Sequence, residues 1–200
     1  MKILCIGDSL TTGMTTSADD YPYSSFLAKT FNQHTWVNAG IGGDEAITFP
    51  TRLRRTLTEA AAKHRGEYDA VVIWGGTNDC RLMSSTPRDI FAALSCSVTI
   101  AREHGVKHVA ILTIPEMECE TIGSGTIQTF RKEVNEMLRG LDSVDLVDIA
   151  SEMKLHELSD EEKTKWWCDG LHLTKNGYKK VAILIGERAS WLKRRTAKKK

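Results

Sequence analysis

Short apolar runs alternate along the chain with longer amphipathic stretches. The short runs are rich in Val and Ile with little polar alternation, which is typical of strands covered on both faces of a parallel sheet. Five runs predict strands over residues 2–6, 35–38, 70–74, 109–114 and 144–149. Their alternation with helical patterns predicts βα units around a parallel sheet.

The longer stretches carry signals for the ends of helices. Thr86 suits the N-cap of a helix over 86–104, with Pro87 at its first position and Gly105 after its end. Apolar residues at helical spacing predict four further helices. These cover 23–31, 49–64, a stretch from about 127 to 140, and a last segment from near Thr174 to Leu192.

A parallel sheet needs right-handed crossovers, so these elements predict a three-layer α/β/α sandwich with a five-stranded parallel sheet. Because 200 residues with 41% hydrophobic content fill one sizeable core, we expect one domain over residues 1–192. In open α/β sheets the ligand site lies outside the carboxyl ends of the strands. Residues in the loops at that edge are therefore the first candidates for function.

The charge of the chain is unevenly distributed. Six of its 27 basic residues lie at 193–200, so residues 1–192 carry 21 basic and 26 acidic side chains, a formal charge of −5. We therefore expect no nucleic-acid surface on the folded body. The basic segment 193–200 is expected to be a disordered, solvated tail, and a nuclear-import or anionic-surface signal is the alternative.

Cysteine usage and the N-terminal residues bear on the compartment. The five cysteines are odd in number and widely spaced, with no C-x-x-C pair that would indicate zinc. No signal-peptide pattern and no run of 18 apolar residues is present. These features predict a cytoplasmic protein with reduced thiols and no membrane span.

Three distant segments carry candidate chemistry: Gly7-Asp8-Ser9-Leu10, Gly76-Thr77-Asn78-Asp79 and Asp169-Gly170-Leu171-His172. A glycine-rich turn at 38–43 lies between the first two. Ser9 follows the first predicted strand, the turn follows the second, Asn78 follows the third, and the last segment precedes the final helix. Four separate loops can therefore meet at one edge of the sheet.

The residue types in these loops suit acyl transfer. A serine hydroxyl such as that of Ser9 needs a base to take its proton, and the imidazole of His172 can accept and return a proton near neutral pH. Asp169, three residues upstream, can bond the other ring nitrogen and fix the tautomer. The oxyanion can be stabilised by the Ser9 N–H, a backbone N–H in the glycine turn and the Asn78 amide.

These residues resemble a known superfamily. Gly7-Asp8-Ser9-Leu10 is similar to the first motif of the GDSL esterases and lipases, and the whole set resembles the SGNH hydrolases over residues 3–181. The resemblance implies a flavodoxin-like sheet, Ser9 as nucleophile, and Asp169 and His172 as its triad partners. It also implies Ser9, Gly43 and Asn78 as the oxyanion hole. Gly43, followed by Asp44, fits the motif better than Gly40 or Gly42.

Other residues near these motifs are interpreted without a catalytic role. Asp8, Asp44 and Asp79 are interpreted as structural groups that bond loop backbone, and Cys168 is not expected to be the nucleophile. Segments 115–125 and 151–168 are candidate specificity loops, and their mixed polarity favours a small or water-soluble ester over bulk lipid. Several residues could line an acyl pocket, although such residues more often belong to the core. They are Trp74, Trp166, Trp167, Met14, Met83, Met117 and Ile122.

The sequence therefore predicts a serine esterase for carboxylic esters with small or medium acyl chains, acting through an acyl-enzyme on Ser9. No cofactor or metal is implied, the partner is a small-molecule ester, and the oligomeric state is open. A thioesterase, a lysophospholipase or an acyltransferase with the same site is the alternative. A nucleotide or flavin-binding module is disfavoured because residues 7–13 lack a phosphate-loop spacing. A catalytically silent interaction domain is the remaining hypothesis.

Overall fold

The computed structural model describes residues 1–62, 67–121 and 125–193. Its sheet has five parallel strands in the order β2-β1-β3-β4-β5, which is the flavodoxin-like order. The strands are β1 (Lys2–Gly7), β2 (Thr35–Gly40), β3 (Ala70–Trp74), β4 (His108–Leu112) and β5 (Asp145–Val147). The predicted five-stranded parallel sheet is confirmed, and its switch in strand order lies at β1 and β3.

The last two strands are shorter than predicted. Chain after β4 leaves the sheet because the Asn135 side chain takes both backbone groups of Ile114, accepting its N–H at 2.8 Å and donating to its carbonyl at 2.9 Å. β5 ends at Val147 because Asp148 caps the next helix, its side chain accepting from the Ser151 N–H. Apolar runs alone do not reveal such side-chain competition for backbone groups.

Helices cover both faces of the sheet. Helices α2 and α9 pack on one face, and α3, α5 and α6 pack on the other, so the three-layer sandwich is confirmed. The helices are α1 (Ser9–Thr12), α2 (Tyr23–Thr30), α3 (Phe49–Ala62), α4 (Thr77–Leu82), α5 (Pro87–Glu103), α6 (Thr126–Arg139), α7 (Ile149–Glu152), α8 (Asp160–Trp166) and α9 (Lys175–Arg188).

Helix ends largely follow the predicted signals. Thr86 caps α5 in a capping box with Asp89, and Thr174 caps α9 through the Gly177 N–H. The last predicted helix is wrong in one respect. It ends at Arg188, and a separate 3₁₀ turn, Ser190–Lys193, follows it. Of the residues assigned to the ends of predicted elements, His64 and tail positions 194–200 lie outside the described residues.

The register of the sheet determines where the loops leave it. Gly7 at the end of β1 is aligned with Gly40 of β2 and with Trp74 of β3. A Cβ on Gly7 would lie 2.0 Å from the Thr11 hydroxyl oxygen and 2.3 Å from the Trp74 carbonyl oxygen, so only glycine fits at this position. Three loops therefore leave the sheet side by side. Within the described ranges, no helix is long and apolar enough to cross a membrane.

Candidate active site

Ser9 lies at the tight turn between β1 and the one-turn helix α1. Asp8 caps this helix, because its Oδ1 accepts the Leu10 N–H at 2.9 Å. The helix stops at Gly13, which has a left-handed φ of 85°. Ser9 is 7% exposed. The turn therefore holds a buried hydroxyl directly beyond the carboxyl end of a central strand.

Asp169 and His172 lie in a compact loop before α9. Oδ1 of Asp169 accepts the backbone N–H of Leu171 at 3.0 Å and that of His172 at 2.6 Å. Its Oδ2 lies 2.7 Å from Nδ1 of His172. Gly170 between them has a φ of 73°, and a Cβ there would clash with the Glu118 side chain. The loop is thus fixed by its own carboxylate and by close packing against residue 118.

The structure joins these two loops. Nε2 of His172 lies 3.0 Å from Oγ of Ser9, although the two residues are 163 positions apart. A neutral imidazole that donates Nδ1–H to Asp169 carries a free lone pair on Nε2, so it can accept a hydrogen bond from the Ser9 hydroxyl. The arrangement is a continuous hydrogen-bonded series from hydroxyl to imidazole to carboxylate.

The ionisation of Asp169 suits its position in this series. Burial pushes its pKa up, but the hydrogen bonds from the His172 ring and from the backbone N–H groups of His172 and Leu171 outweigh it. The pKa is therefore lowered from its ordinary value, and the carboxylate stays charged at neutral pH. A charged carboxylate can stabilise the imidazolium that forms when His172 takes a proton.

The glycines in the turn after β2 serve different structural purposes. A Cβ on Gly40 would lie 2.4 Å from the Thr12 backbone nitrogen, so this glycine permits close packing of β2 and α1. Gly43 has a left-handed φ of 76°, and a Cβ there would meet nothing within 4 Å. In the described part of the chain, the N–H groups of Ser9 and Gly43 donate to no acceptor. Both are therefore available to a ligand.

Asn78 lies in the first turn of α4, after β3, and is 4% exposed. Its Nδ2 donates to the carbonyl of Asp44 at 2.9 Å, which ties the amide to the residue after Gly43. The amide has two N–H groups, and this bond uses one of them. The structure thus brings the loops of Asn78 and Gly43 together.

Asp8 and Asp79 make the backbone bonds predicted for them. Oδ2 of Asp79 accepts the Ala46 N–H at 2.8 Å and so anchors the turn that follows the glycine loop. Burial raises the pKa of Asp79. Burial also raises the pKa of Asp8 to about 7, with the nearby Asp79 and Asp44 carboxylates adding to the effect.

Arg52 is a residue that sequence reasoning missed. From the first turns of α3 its guanidinium donates to the carbonyls of Gly7, at 2.9 Å, and Ala39, and it pairs with Oδ2 of Asp44 at 2.9 Å. It therefore ties together the ends of β1 and β2 and the glycine loop. No local motif marks it. Its only sequence signal is an arginine one helical turn after the apolar Phe49 that starts α3.

The proposed acyl-pocket residues divide into two groups. Trp74, Trp167 and Met117 are buried in the core, so they do not line an open pocket. Ile122 lies outside the described residues, and Trp166 is partly buried against the core. By contrast, large hydrophobic side chains are exposed in the segments after β1, β2 and β3, at the edge of the sheet that carries Ser9, which we call the catalytic edge. We call these the apolar rim: Met14, Ile41, Ile47, Leu82 and Met83.

The two candidate specificity loops form a shallow groove beside Asp169. The groove has a volume of about 280 Å³ and is lined by Glu118, His156, Lys163 and Cys168, among others. Most of its side chains are polar. The loops contain more helix than expected, because α7 and α8 occupy parts of the second one.

The sequence and the fold are similar to those of known proteins. Residues 5–180 match the model of the GDSL-like lipase/acylhydrolase family. No curated protein is significantly similar to the sequence.

Solved structures share the fold at low identity. A lipase/acylhydrolase from Enterococcus faecalis is 24% identical, with 98% of this chain and 99% of that chain covered and a TM-score of 0.71. TesA is 20% identical, with 96% and 99% covered and a TM-score of 0.73. A G-D-S-L family lipolytic protein from Veillonella parvula is 18% identical, with 93% and 96% covered and a TM-score of 0.72. With a family match over most of its length, the chain belongs to the GDSL-like lipase/acylhydrolase family.

Proposed function

We propose that the protein is a serine esterase that cleaves carboxylic esters through an acyl-enzyme on Ser9. The observation that carries the proposal is the series Ser9 Oγ, His172 Nε2, His172 Nδ1, Asp169 Oδ2, with distances of 3.0 and 2.7 Å. These are hydrogen-bond distances, so the base is within reach of the proton it must take. The low pKa of Asp169 supports its role as the charged orienting group.

The mechanism has two halves. Oγ of Ser9 attacks the ester carbonyl carbon while Nε2 of His172 takes the hydroxyl proton, and the tetrahedral intermediate collapses as His172 gives that proton to the leaving alkoxide oxygen. Water then attacks the acyl-enzyme, with His172 taking a proton from it and returning it to Oγ. The products are the alcohol, the carboxylic acid and the free enzyme.

The negative oxygen of each intermediate needs donors that are already in place. The free N–H groups of Ser9 and Gly43 and the second amide N–H of Asn78 are the proposed donors. Arg52 supports them indirectly, because it holds both strand ends and Asp44.

The apolar rim suggests which part of the substrate lies where. Its five side chains are 44% to 51% exposed, and they lie in the segments that follow β1, β2 and β3. Hydrocarbon in contact with them is removed from water. We propose that the acyl chain lies along this rim, in a shallow site that accepts small and medium chains. Hydrolysis rates measured with water-soluble esters and with thioesters show which of these two substrate classes the enzyme prefers.

The first test is hydrolysis of p-nitrophenyl acetate and butyrate by wild type and by Ser9→Ala. We expect the variant to lose roughly 10⁴-fold or more of kcat, because the nucleophile is gone. Ser25→Ala, an exposed serine on α2, is the matched control and should retain full activity. Turnover retained in Ser9→Ala would reject the mechanism.

A second test addresses the acyltransferase alternative. Added alcohols compete with water for the acyl-enzyme, and product analysis shows whether new esters form. An ester yield far above the molar fraction of the alcohol would favour acyl transfer, and free acid as the main product supports hydrolysis.

A further inference from the structure

A second apolar feature lies outside the catalytic edge, between α2 and α9. It is a groove of about 590 Å³, within the size range of small-molecule sites. Neither Ser9, His172 nor Asn78 is among the residues that line it. We call it the helix-pair groove.

The floor of the helix-pair groove is hydrocarbon. Phe26 and Phe31 contribute from α2 and its end, and Ala182 and Ile183 contribute from α9. The Phe31 ring lies close to Gly186, where a Cβ would be 3.0 Å from its edge, so the glycine makes room for the ring. Ile183 is 51% exposed. A water-exposed apolar floor of this kind gains free energy when hydrocarbon covers it.

The rim of the groove is cationic. Lys29 stands on the α2 side, Lys175 and Lys179 on the α9 side, and Lys193 at the following turn, while Glu187 is the one carboxylate of the lining. Among the described residues, none of the four lysines forms an ion pair. The body over 1–192 carries a formal charge of −5. The lysine cluster is therefore opposite in sign to the net charge of residues 1–192.

We propose that the helix-pair groove binds a monomeric long-chain fatty carboxylate, with the chain on the apolar floor and the carboxylate at the lysine rim. Apolar lining and positive rim together match an amphiphile with an anionic head. The seven residues after Lys193 include five basic ones, so this segment would be repelled by the rim. The concave shape suits a single chain better than a flat bilayer. The inference does not depend on the esterase proposal.

The experiment is a fluorescence titration of the full chain with cis-parinaric acid, a fluorescent 18-carbon carboxylate, at low and at physiological ionic strength. We expect saturable binding that weakens with salt, because the lysines are exposed and screened. Stearate should displace the probe at a concentration at least about tenfold lower than stearyl alcohol, which lacks the charge.

Two pairs of variants locate the site. Lys179→Glu should weaken binding about tenfold, whereas Lys132→Glu, an exposed lysine on α6 on the other face of the sheet, should not. Ile183→Asp should weaken binding by a similar factor. Leu82→Asp is its control, because Leu82 is also 51% exposed but lies on the apolar rim of the catalytic edge.

The outcomes separate the occupants. Equal binding by wild type and both groove variants, or an equal loss in Leu82→Asp, would overturn the proposal. It would also be overturned if stearyl alcohol displaced the probe as well as stearate does, or if phosphatidylglycerol vesicles bound while the monomeric probe did not. Circular dichroism of each variant shows that the fold is intact, and the two groove variants change different, exposed side chains.

Discussion

Two aspartates flank the proposed chemistry and have opposite properties. Asp8, next to Ser9, is fully buried, and burial raises its pKa to about 7. Asp169 is hydrogen-bonded to the His172 ring. Its side chain is 35% exposed, and its pKa is lowered. The nucleophile side of the site thus holds a carboxyl that resists ionisation, and the base side holds one that favours it.

The difference comes from burial, which is complete for Asp8, and from the number of hydrogen bonds that each carboxyl accepts. Asp169 accepts from two backbone N–H groups and from the His172 ring, all of which favour the charged form. Asp8 accepts from the Leu10 N–H, and its Oδ2 has no hydrogen-bond partner in the described part of the chain. Residue type alone therefore does not assign a role. The Asp beside Ser9 shapes the turn, and the Asp beside the imidazole holds the His172 ring and its loop.

The largest effect is expected from neutralising the base-side carboxyl. Asp169→Asn can donate its amide N–H to Nδ1, which places the imidazole proton on Nε2 and removes the lone pair that accepts the Ser9 proton. We expect kcat to fall by roughly 10⁴-fold. Steady-state kinetics with p-nitrophenyl butyrate measures this. The same substitution at Asp8 should leave kcat within a few fold, and similar losses at both positions would break the comparison.

Removing an oxyanion donor tests the nucleophile side without changing either carboxyl. Asn78→Ala should lower kcat by roughly 10²–10³-fold with little change in KM, because the bond strengthens only when the oxygen becomes negative. Asn32→Ala, at an exposed position, is the control. A change confined to KM would mean that Asn78 binds substrate without stabilising the intermediate.

These predictions concern residues that the sequence could assign. Asp169 and His172 are three positions apart, so their proximity follows from spacing. Parallel strands present their carboxyl ends at one edge of the sheet, and this rule predicts that Ser9 lies at the same edge as His172. β3 has the predicted bounds, since it is a short, wholly apolar run in the centre of the sheet. Element type followed from periodicity, and the position of the site followed from topology.

Other features depend on contacts that no local pattern encodes. Periodicity does not predict helix α8, because none of its residues is buried and it has no apolar stripe; its one sequence signal is the capping box of Ser159 and Glu162. Arg52 acts on carbonyls that only the folded sheet brings together. The burial of Trp74 and Trp167 likewise depends on packing.

The buried carboxyl of Asp8 should affect how the free energy of unfolding depends on pH. The pKa of Asp8 rises from 3.8 to about 7 on folding, so the unfolded chain loses its proton first as pH increases. The carboxyl therefore disfavours the folded state increasingly from about pH 4 to about pH 7. Asp8→Asn removes this penalty, and its stability relative to wild type should increase by roughly 2 to 4 kcal/mol between pH 4 and pH 8.

Urea unfolding of Asp8→Asn and wild type at both pH values measures this difference. Asp142→Asn, at an exposed aspartate, should show no comparable change between the two pH values. A constant difference between Asp8→Asn and wild type across the pH range would show that Asp8 ionises normally in the fold.

The smallest effect on kcat is expected from Arg52, which joins the ends of β1 and β2 to the glycine loop. Arg52→Lys keeps the charge near Asp44, but an ammonium group cannot bridge the two carbonyls as the planar guanidinium does. We expect kcat to fall about tenfold with KM little changed, because the oxyanion donors lose their exact positions. Arg54→Lys, an exposed arginine on the same helix, should have no effect. Unchanged kinetics in Arg52→Lys would limit Arg52 to the stability of the fold.

The most direct test of the catalytic assignment is covalent labelling of the nucleophile. Wild type is treated with a fluorophosphonate, and the adduct is located by peptide mass spectrometry. The geometry of Ser9, His172 and Asp169 predicts one adduct, on Ser9, which forms at least a hundredfold more slowly in His172→Ala. An unmodified Ser9, or labelling of Ser9 at the same rate without the imidazole, would contradict it.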